Sequence, residues 1–232
     1  MSQIYAHRGL HTVERENTVP AFLEAKAAGV HGVELDVRRT KDGALVVHHD
    51  YGIAGRGNIC DLTVGELPHH VPTLADAMTA CTGITVNVEI KNWFEDPGYD
   101  PSGALATHVM DLLSQMKWLD DIVVSSFDLD TCLAVKKIHP AVPVGWLLNW
   151  TESTIDCSRR AADAGLDAVH PHYKTLNEGD VSLVQSWGLA VNVWTVNSAS
   201  SLQRMYDWGV DTIITDDPVL ALSLGAEAPT NP

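Results

Sequence analysis

The sequence has few cationic side chains and no long apolar run. Its 232 residues include 15 Lys and Arg against 30 Asp and Glu, which gives a formal net charge of −15. Phosphate backbones and anionic membrane surfaces are bound by clusters of Lys and Arg, and a membrane-spanning helix needs about 20 consecutive apolar residues. We therefore expect no nucleic-acid partner and no stable membrane association.

Other absences narrow the function further. The four cysteines are widely spaced and form no Cys-x-x-Cys pair, so neither a zinc site nor a disulfide framework is expected. The first residues lack the basic and apolar segments of a signal peptide, which favours a cytoplasmic location. The glycine-rich nucleotide loops and the Gly-x-Ser-x-Gly elbow are also missing. Nucleotide binding and serine hydrolysis are therefore disfavoured.

The sequence does contain a regular alternation of β-branched runs and helical stretches, which is typical of βα units around a parallel sheet. The predicted strands cover 4–7, 32–37, 85–91, 122–127, 144–148, 168–172, 190–196 and 212–215. The predicted helices cover 18–28, 74–81, 102–117, 128–138, 152–164, 176–187, 198–207 and 217–224. Eight of each is the count of an α/β TIM (β/α)8 barrel. We expect a single domain over 1–232, with a frayed polar tail at 225–232.

One run departs from this alternation. Residues 44–49 follow the second strand after a connection of only four residues. A parallel crossover needs about a dozen residues, so the run is predicted to be a hairpin strand. The turn can be centred on either side of Asp42, which places His49 opposite Glu34 or opposite Asp36. Either register brings His49 beside the acids of the second strand.

Four charged side chains lie toward the ends of the second and third predicted strands, where barrel enzymes form their active sites. Glu34 and Asp36 are two residues apart, as are Glu89 and Lys91, so the members of each pair share one face of their strand. The residues between them are apolar and belong on the helix side, so the acids face inward. Three inward carboxylates predict a site for one divalent cation, Mg²⁺ or Ca²⁺. The alternative is solvated acids beside a surface ion pair.

Two histidines flank this predicted metal site. His7 ends the first strand and His49 ends the hairpin, and imidazole transfers protons near neutral pH. Arg8 and Lys91 add fixed positive charge. This set suits phosphoester cleavage: the metal polarises a phosphoryl oxygen, one histidine takes a proton from the nucleophile, and the other protonates the leaving alkoxide.

Further residues at strand ends have less defined roles. Trp146 and Trp194 are two of seven tryptophans and are expected to wall a substrate pocket. Asp50 follows His49 and either orients its ring or braces the loop. Asp216 follows the last strand, but its spacing assigns it no role.

Eleven short segments of the chain stand in a fixed order. They are His7-Arg8-Gly9, Glu16-Asn17-Thr18, Glu34-x-Asp36, Thr40-Lys41-Asp42-Gly43, Val46-Val47-His48-His49-Asp50, Asp61-Leu62-Thr63, Pro72-Thr73-Leu74, Glu89-Ile90-Lys91, Ser125-Ser126-Phe127-Asp128, Val193-Trp194-Thr195-Val196-Asn197 and Ile214-Thr215-Asp216-Asp217-Pro218. In order and spacing they resemble the segments of glycerophosphodiester phosphodiesterases. The resemblance covers about residues 4–224.

This resemblance implies a TIM barrel with an extra hairpin strand and a short excursion at about 51–72. It implies metal-dependent hydrolysis of glycerophosphodiesters, such as glycerophosphocholine or glycerophosphoethanolamine, to sn-glycerol 3-phosphate and an alcohol. Attack by water or by the neighbouring glycerol hydroxyl fits equally well, and lipid and glycerol metabolism is the implied setting. The implied roles are metal binding by Glu34, Asp36 and Glu89, acid–base catalysis by His7 and His49, phosphate or substrate contact by Arg8, Lys91 and Trp194, and support by Glu16.

Three rival functions remain open from the sequence. A lysophospholipase D or a relative of sphingomyelinase D on the same barrel would need an exposed apolar groove for an acyl chain. A non-catalytic phosphate-ligand binding protein would have lost a histidine or an acid, and none is lost. A sugar-processing barrel would use a carboxylate pair without metal and would leave the two histidines without a role.

Overall fold

The polypeptide forms a closed parallel barrel. The computed structural model describes residues 2–227. Its strands are β1 (Gln3–His7), β2 (Gly32–Arg39), β3 (Leu45–Val47), β4 (Gly52–Ile53), β5 (Gly57–Asn58), β6 (Thr85–Ile90), β7 (Ile122–Ser126), β8 (Val144–Leu147), β9 (Ala168–His170), β10 (Ala190–Val193) and β11 (Thr212–Thr215). The order β1-β11-β10-β9-β8-β7-β6-β2 is closed by pairing of β1 with β2. The predicted (β/α)8 barrel is confirmed.

Within residues 2–227, one α-helix follows each of the eight ring strands. The helices are α1 (Val19–Ala27), α2 (Leu74–Ala80), α3 (Ala104–Gln115), α4 (Leu129–Ile138), α5 (Thr154–Asp163), α6 (Glu178–Ser186), α7 (Ala199–Asp207) and α8 (Pro218–Glu227). Helix α1 begins as its sequence predicts, because the Thr18 side chain accepts from the amide of Ala21 and Pro20 lies in the first turn. The tail expected at 225–232 starts within α8, and its remainder at 228–232 lies outside the described residues.

The faces of β2 and β6 separate apolar from acidic side chains. Val33, Leu35 and Val37 are fully buried in the main hydrophobic core together with the alternate residues of β6. The residues between them, Glu34 and Asp36, therefore point to the barrel interior. Parallel pairing sets Asp36 directly beside Glu89 of β6. The alternation brings carboxylates of two neighbouring strands to the same level of the barrel.

The hairpin after β2 exists, but neither of its two expected registers occurs. Strand β3 pairs antiparallel with β2, with Val37 opposite Val47 and Arg39 opposite Leu45. The connecting loop at 40–44 has an odd number of residues and is closed by a hydrogen bond from the amide of Thr40 to the carbonyl of Ala44. The turn is therefore centred on Asp42 itself, and not between Asp42 and one of its neighbours.

The excursion after the hairpin has a small core of its own. Strands β4 and β5 pair antiparallel, and two 3₁₀ turns follow at Ile59–Asp61 and Val64–Glu66. This second core consists of Val46, Ile53, Ile59, Leu67 and Val71. In the part of the chain from 2 to 227, no helix has the length and apolarity needed to cross a membrane.

Candidate active site

The turn after β1 aims Arg8 at the carboxylates of β2. Arg8 and Gly9 both adopt positive φ, 57° and 84°, and a Cβ on Gly9 would lie 2.8 Å from the backbone of Ala21, so only glycine fits there. The Arg8 amide donates to Glu34 Oε2 at 3.1 Å. Its guanidinium lies 3.4 Å from Asp36 and 2.8 Å from Glu16. The bend thus places one cation against three acids.

Three carboxylates converge below this turn. Glu34, Asp36 and Glu89 each offer an oxygen within 4.8 Å of the others, and their exposed fractions are 3%, 1% and 8%. Burial and the neighbouring charges of Asp36 and Glu89 raise the pKa of Glu34. Burial also opposes ionisation of Asp36, but the positive charges of Lys91 and Arg8 hold its pKa well below the usual range. Burial and repulsion therefore disfavour the ionised form of Glu34, whereas the two cations keep Asp36 ionised.

The donor set fits a divalent cation. Within residues 2–227, Glu34 Oε1 and Asp36 Oδ1 are buried and accept no hydrogen bond, although the Lys91 ammonium lies 3.3 Å from Asp36 Oδ1. Buried carboxylate oxygens without partners are costly, and an all-oxygen cluster is the ligand type that Mg²⁺ and Ca²⁺ accept. Glu34, Asp36 and Glu89 are thus able to hold a metal ion.

His7 is oriented from the far end of the chain. Its Nδ1 lies 2.6 Å from Asp216 Oδ1, while its Nε2 lies 3.9 Å from Glu34 Oε2. Asp216 also accepts from the Asn197 amide at 2.5 Å, and His11 Nε2 lies 3.4 Å from it. With Nδ1 held by the carboxylate, Nε2 faces the acidic cluster. The contacts of Asp216, Asn197 and His11 were not predicted from the sequence. The available signal was that Asn197 and Asp216 each directly follow a predicted strand; His11 has no such signal.

His49 lies just beyond the paired residues of β3. Its Nδ1 is 2.8 Å from Asp50 Oδ1, so Asp50 contacts the ring. Two guanidinium nitrogens of Arg38 donate to the His49 carbonyl at 2.9 and 2.7 Å. Burial and the nearby Lys91 charge lower the pKa of His49. The neighbouring His48 bonds to the Asp50 carbonyl instead, and it does not line the inner cavity that His49 lines.

Two adjoining cavities open at this end of the barrel. The inner cavity, of about 280 Å³, is lined by charged residues of the cluster and by both histidines, His7 and His49. An outer cavity of about 540 Å³ continues from it. The residues that line both are His49, Glu89, Lys91, Phe127 and Trp194. The predicted site residues are thus brought together at one mouth.

Two expected residues lie apart from the walls of these two cavities. Glu16 lines neither of them, but it forms an ion pair with Arg8 and lines a third cavity beside His49. Trp146 was expected to wall the pocket, and this is wrong: it is 4% exposed, and its indole N–H donates to the carbonyl of Phe127 at 3.1 Å. Trp146 therefore supports the pocket loop from beneath, whereas Trp194 lies on the cavity surface.

A closed (β/α)8 barrel with carboxylates, imidazoles and cations at its mouth defines a hydrolase of phosphoric diesters. The model of the glycerophosphoryl diester phosphodiesterase family matches residues 7–220, and the chain belongs to this family. The resemblance inferred from the short motifs is thereby confirmed.

Several relatives match over nearly the full chain. A glycerophosphodiester phosphodiesterase from Caldanaerobacter subterraneus subsp. tengcongensis is 29% identical and covers 95% of this chain and 96% of its own. One from Bacillus subtilis is 26% identical over 93% of this chain and 83% of its own. The crystal structure of a glycerophosphodiester phosphodiesterase from Parabacteroides distasonis superposes with a TM-score of 0.87 at 27% identity, covering 98% of both chains.

Proposed function

We propose that the protein hydrolyses glycerophosphodiesters to sn-glycerol 3-phosphate and an alcohol, in a metal-dependent reaction. The observation that carries the proposal is that His7 and His49 line one cavity with two members, Glu34 and Glu89, of a three-carboxylate cluster. The names of the relatives, glycerophosphodiester phosphodiesterases, support the substrate class. The substrate is a small molecule, for which an inner cavity of about 280 Å³ is ample.

The carboxylates of Glu34, Asp36 and Glu89 would hold one divalent cation, Mg²⁺ or Ca²⁺. When bound, such an ion polarises a phosphoryl oxygen and offsets negative charge in the transition state. Arg8 and Lys91 flank the cluster and would contact the remaining phosphate oxygens. The Glu16 carboxylate keeps the Arg8 guanidinium in place from the outer side. The substrate phosphate is therefore held between fixed charges.

The two histidines would transfer the protons. Asp216 holds His7 through Nδ1 and Asp50 holds His49 through Nδ1, which leaves Nε2 of each ring for the reacting atoms. One Nε2 takes a proton from the nucleophile, either water or the adjacent glycerol hydroxyl, and the other protonates the departing alkoxide. Trp194 forms part of the cavity wall beside them.

The test combines substitution and chelation. His7→Ala or His49→Ala is expected to reduce cleavage of glycerophosphocholine by about 10³-fold or more with the circular dichroism spectrum unchanged. His48→Ala is the matched control and is expected to keep most of the activity, because His48 bonds away from the inner cavity. Exhaustive chelation is expected to abolish the activity of the wild type, and adding Mg²⁺ or Ca²⁺ is expected to restore this activity. Full activity after chelation would contradict the metal assignment.

The wider setting follows from the same proposal. We place the protein in the cytoplasm, where reduced thiols persist, since the four cysteines are free thiols in the described chain. It would act there in lipid and glycerol metabolism as a single barrel domain.

A further inference from the structure

Six aromatic rings form a continuous arc, and four of them line the outer cavity: Trp93, Phe127, Trp194 and Trp150. Successive ring centroids along the arc lie 4.9, 6.2, 5.6, 5.3 and 6.1 Å apart. The loops that carry them follow five neighbouring strands, β6 to β10. In order along the arc the rings are Phe94, Trp93, Phe127, Trp194, His172 and Trp150.

The middle of the arc borders the phosphate-binding end of the site. Phe127 and Trp194 line both cavities, and the Lys91 ammonium is 6.0 Å from the Phe127 centroid. A phosphodiester held by Lys91 would therefore extend one ester arm along the arc. The outer cavity is wide enough for that arm, at about 540 Å³.

Three of the rings, Trp93, Phe127 and Trp194, meet nearly at right angles, and hydrogen bonds hold this arrangement, which we call the corner. Phe127 meets Trp194 at 90° and Trp93 at 82°. The Trp194 indole N–H donates to the carbonyl of His170 at 2.7 Å, and Trp146 fixes the Phe127 backbone from beneath. Perpendicular rings present more than one π-face to the same space, which is the arrangement that surrounds an organic cation.

Two carboxylates at the rim add negative charge to this corner. The other charged residues of the outer cavity are paired: Arg38 with Asp96 at 2.8 Å, and Lys91 with the Glu89 cluster. Asp50 and Glu95 have no Lys or Arg partner within residues 2–227. The Glu95 carboxylate lies 3.4 Å from the Trp93 indole nitrogen, directly beside the arc. The outer cavity is thus aromatic and anionic.

We infer that the outer cavity is the alcohol subsite and that it selects a quaternary ammonium alcohol, as in glycerophosphocholine. This inference rests on the proposed function, which supplies the reacting phosphate. A quaternary ammonium is weakly hydrated and donates no hydrogen bond, so π-faces and nearby carboxylates hold it well. An acyl chain would gain nothing from Asp50 and Glu95.

The decisive comparison uses two substrates of the same shape. Glycerophosphocholine and its 3,3-dimethylbutyl ester analogue differ by a carbon in place of the charged nitrogen. The wild type is expected to prefer the choline ester in kcat/KM by about tenfold or more. Trp93→Leu and Glu95→Gln are expected to reduce this ratio to about threefold or less, chiefly through KM for the choline ester. Glu24→Gln, an exposed position on α1, is the matched control and should keep the ratio.

A binding titration supplies a readout that needs no turnover. Tetramethylammonium chloride is expected to change the tryptophan fluorescence of the wild type saturably, and ammonium chloride at equal ionic strength is not. The response should disappear in Trp93→Leu and weaken in Glu95→Gln. If the wild type binds tetramethylammonium but cleaves no glycerophosphodiester, the proposed function is wrong, whereas the assignment of the cation site is supported.

Other outcomes would overturn the inference itself. Equal kcat/KM for the two esters, in a wild type that hydrolyses both, would show that the nitrogen charge is not recognised. A preference for lysophosphatidylcholine over glycerophosphocholine by about tenfold would assign the arc to an acyl chain. Trp93→Leu removes a packed ring, so the folded Glu95→Gln variant is tested as well. An unchanged kcat/KM ratio in Glu95→Gln would contradict the role of the carboxylate. An unchanged fluorescence response to tetramethylammonium in both variants would contradict the whole cation site.

Discussion

Asp216 holds two histidines that are remote from it in the sequence. His7 lies 209 residues away and bonds to Oδ1 at 2.6 Å, and His11 Nε2 shares the same oxygen. That hydrogen bond raises the pKa of His11. Burial opposes ionisation of Asp216, yet the hydrogen bonds from His11 and His7 keep its pKa far below the usual range. Asp216 is therefore a fixed negative charge that orients His7.

Replacement of Asp216 by asparagine should expose this positioning role. Asp216→Asn is expected to lower kcat for glycerophosphocholine by about 10- to 100-fold, because the amide no longer fixes which nitrogen of His7 carries the proton. KM should change by less than about threefold, since Asp216 does not line the inner cavity. Steady-state kinetics measure both, with Asp207→Asn on α7 as the exposed control. An unchanged kcat would contradict the assignment.

His170 is a buried histidine that the proposed chemistry does not use. It is 1% exposed, its Nε2 contacts the Asn192 amide at 2.9 Å, and its Nδ1 has no partner in the described chain. Burial lowers its pKa from 6.5 to about 3. Between these values the unfolded chain binds a proton that the folded chain does not, so this residue makes stability fall as the pH falls.

The acid sensitivity due to His170 is measurable by urea unfolding. Between about pH 6 and pH 4 the residue should contribute up to about 1.4 kcal/mol of lost unfolding free energy per pH unit. His170→Gln is expected to flatten this dependence relative to the wild type, whatever its stability at pH 7. His69→Gln, an exposed histidine, should leave the slope unchanged. Parallel curves for all three proteins would show that His170 is not the cause.

At the scale of elements, the sequence predicted the barrel well because its signals are local. Val33, Leu35 and Val37 alternate with acids and can only face the helices, so the inward direction of Glu34 and Asp36 follows from the pattern alone. The position of Asp216 against His7 had no such signal, since contact across the closure of the ring depends on the whole fold. Local periodicity thus predicts which way a side chain points, but not which distant side chain it meets.

The register of β3 is a second feature that the local sequence pattern did not predict. Both expected registers assumed an even turn around Asp42, whereas Thr40 bonds across to Ala44 and Gly43 adopts a φ of 86°. One hydrogen bond therefore decides which residue of β3 opposes Asp36. In the structure the His48 amide donates to the Asp36 carbonyl, and His49 reaches the inner cavity only because the chain leaves the sheet after Val47.

At the scale of the molecule, the net charge of −15 is compatible with an anionic substrate only if positive charge at the mouth offsets the acids there. Three acids and two cations leave the inner site with one net negative charge, and a divalent ion would reverse its sign. Most of the remaining negative charge is distant and is screened beyond about 8–10 Å at physiological salt. The affinity for a phosphodiester is therefore expected to depend on the ion.

Removal and return of divalent ions should change stability as well as ligand binding. At about 100 times its dissociation constant, an ion that binds only the folded chain adds about 2.7 kcal/mol, which corresponds to roughly 5–10 °C in Tm at this size. We expect such a rise for the chelated wild type on adding Ca²⁺ or Mg²⁺, and a much smaller one for Asp36→Asn. Chelated protein should also bind glycerophosphocholine poorly in calorimetry. A wild-type Tm insensitive to both ions would contradict the site.

The second small core has a consequence for how activity is controlled. His7 and the three carboxylates are carried by the barrel ring, whereas His49 directly precedes the excursion, whose residues Ile59 and Leu67 form the second core together with Val46 of β3. Small peripheral cores open locally at lower free energy than the main core. An opening of this segment that also broke the two hydrogen bonds from Arg38 to the His49 carbonyl would carry His49 away and leave the carboxylates in place. Binding of a phosphodiester and its cleavage would then depend on different parts of the chain.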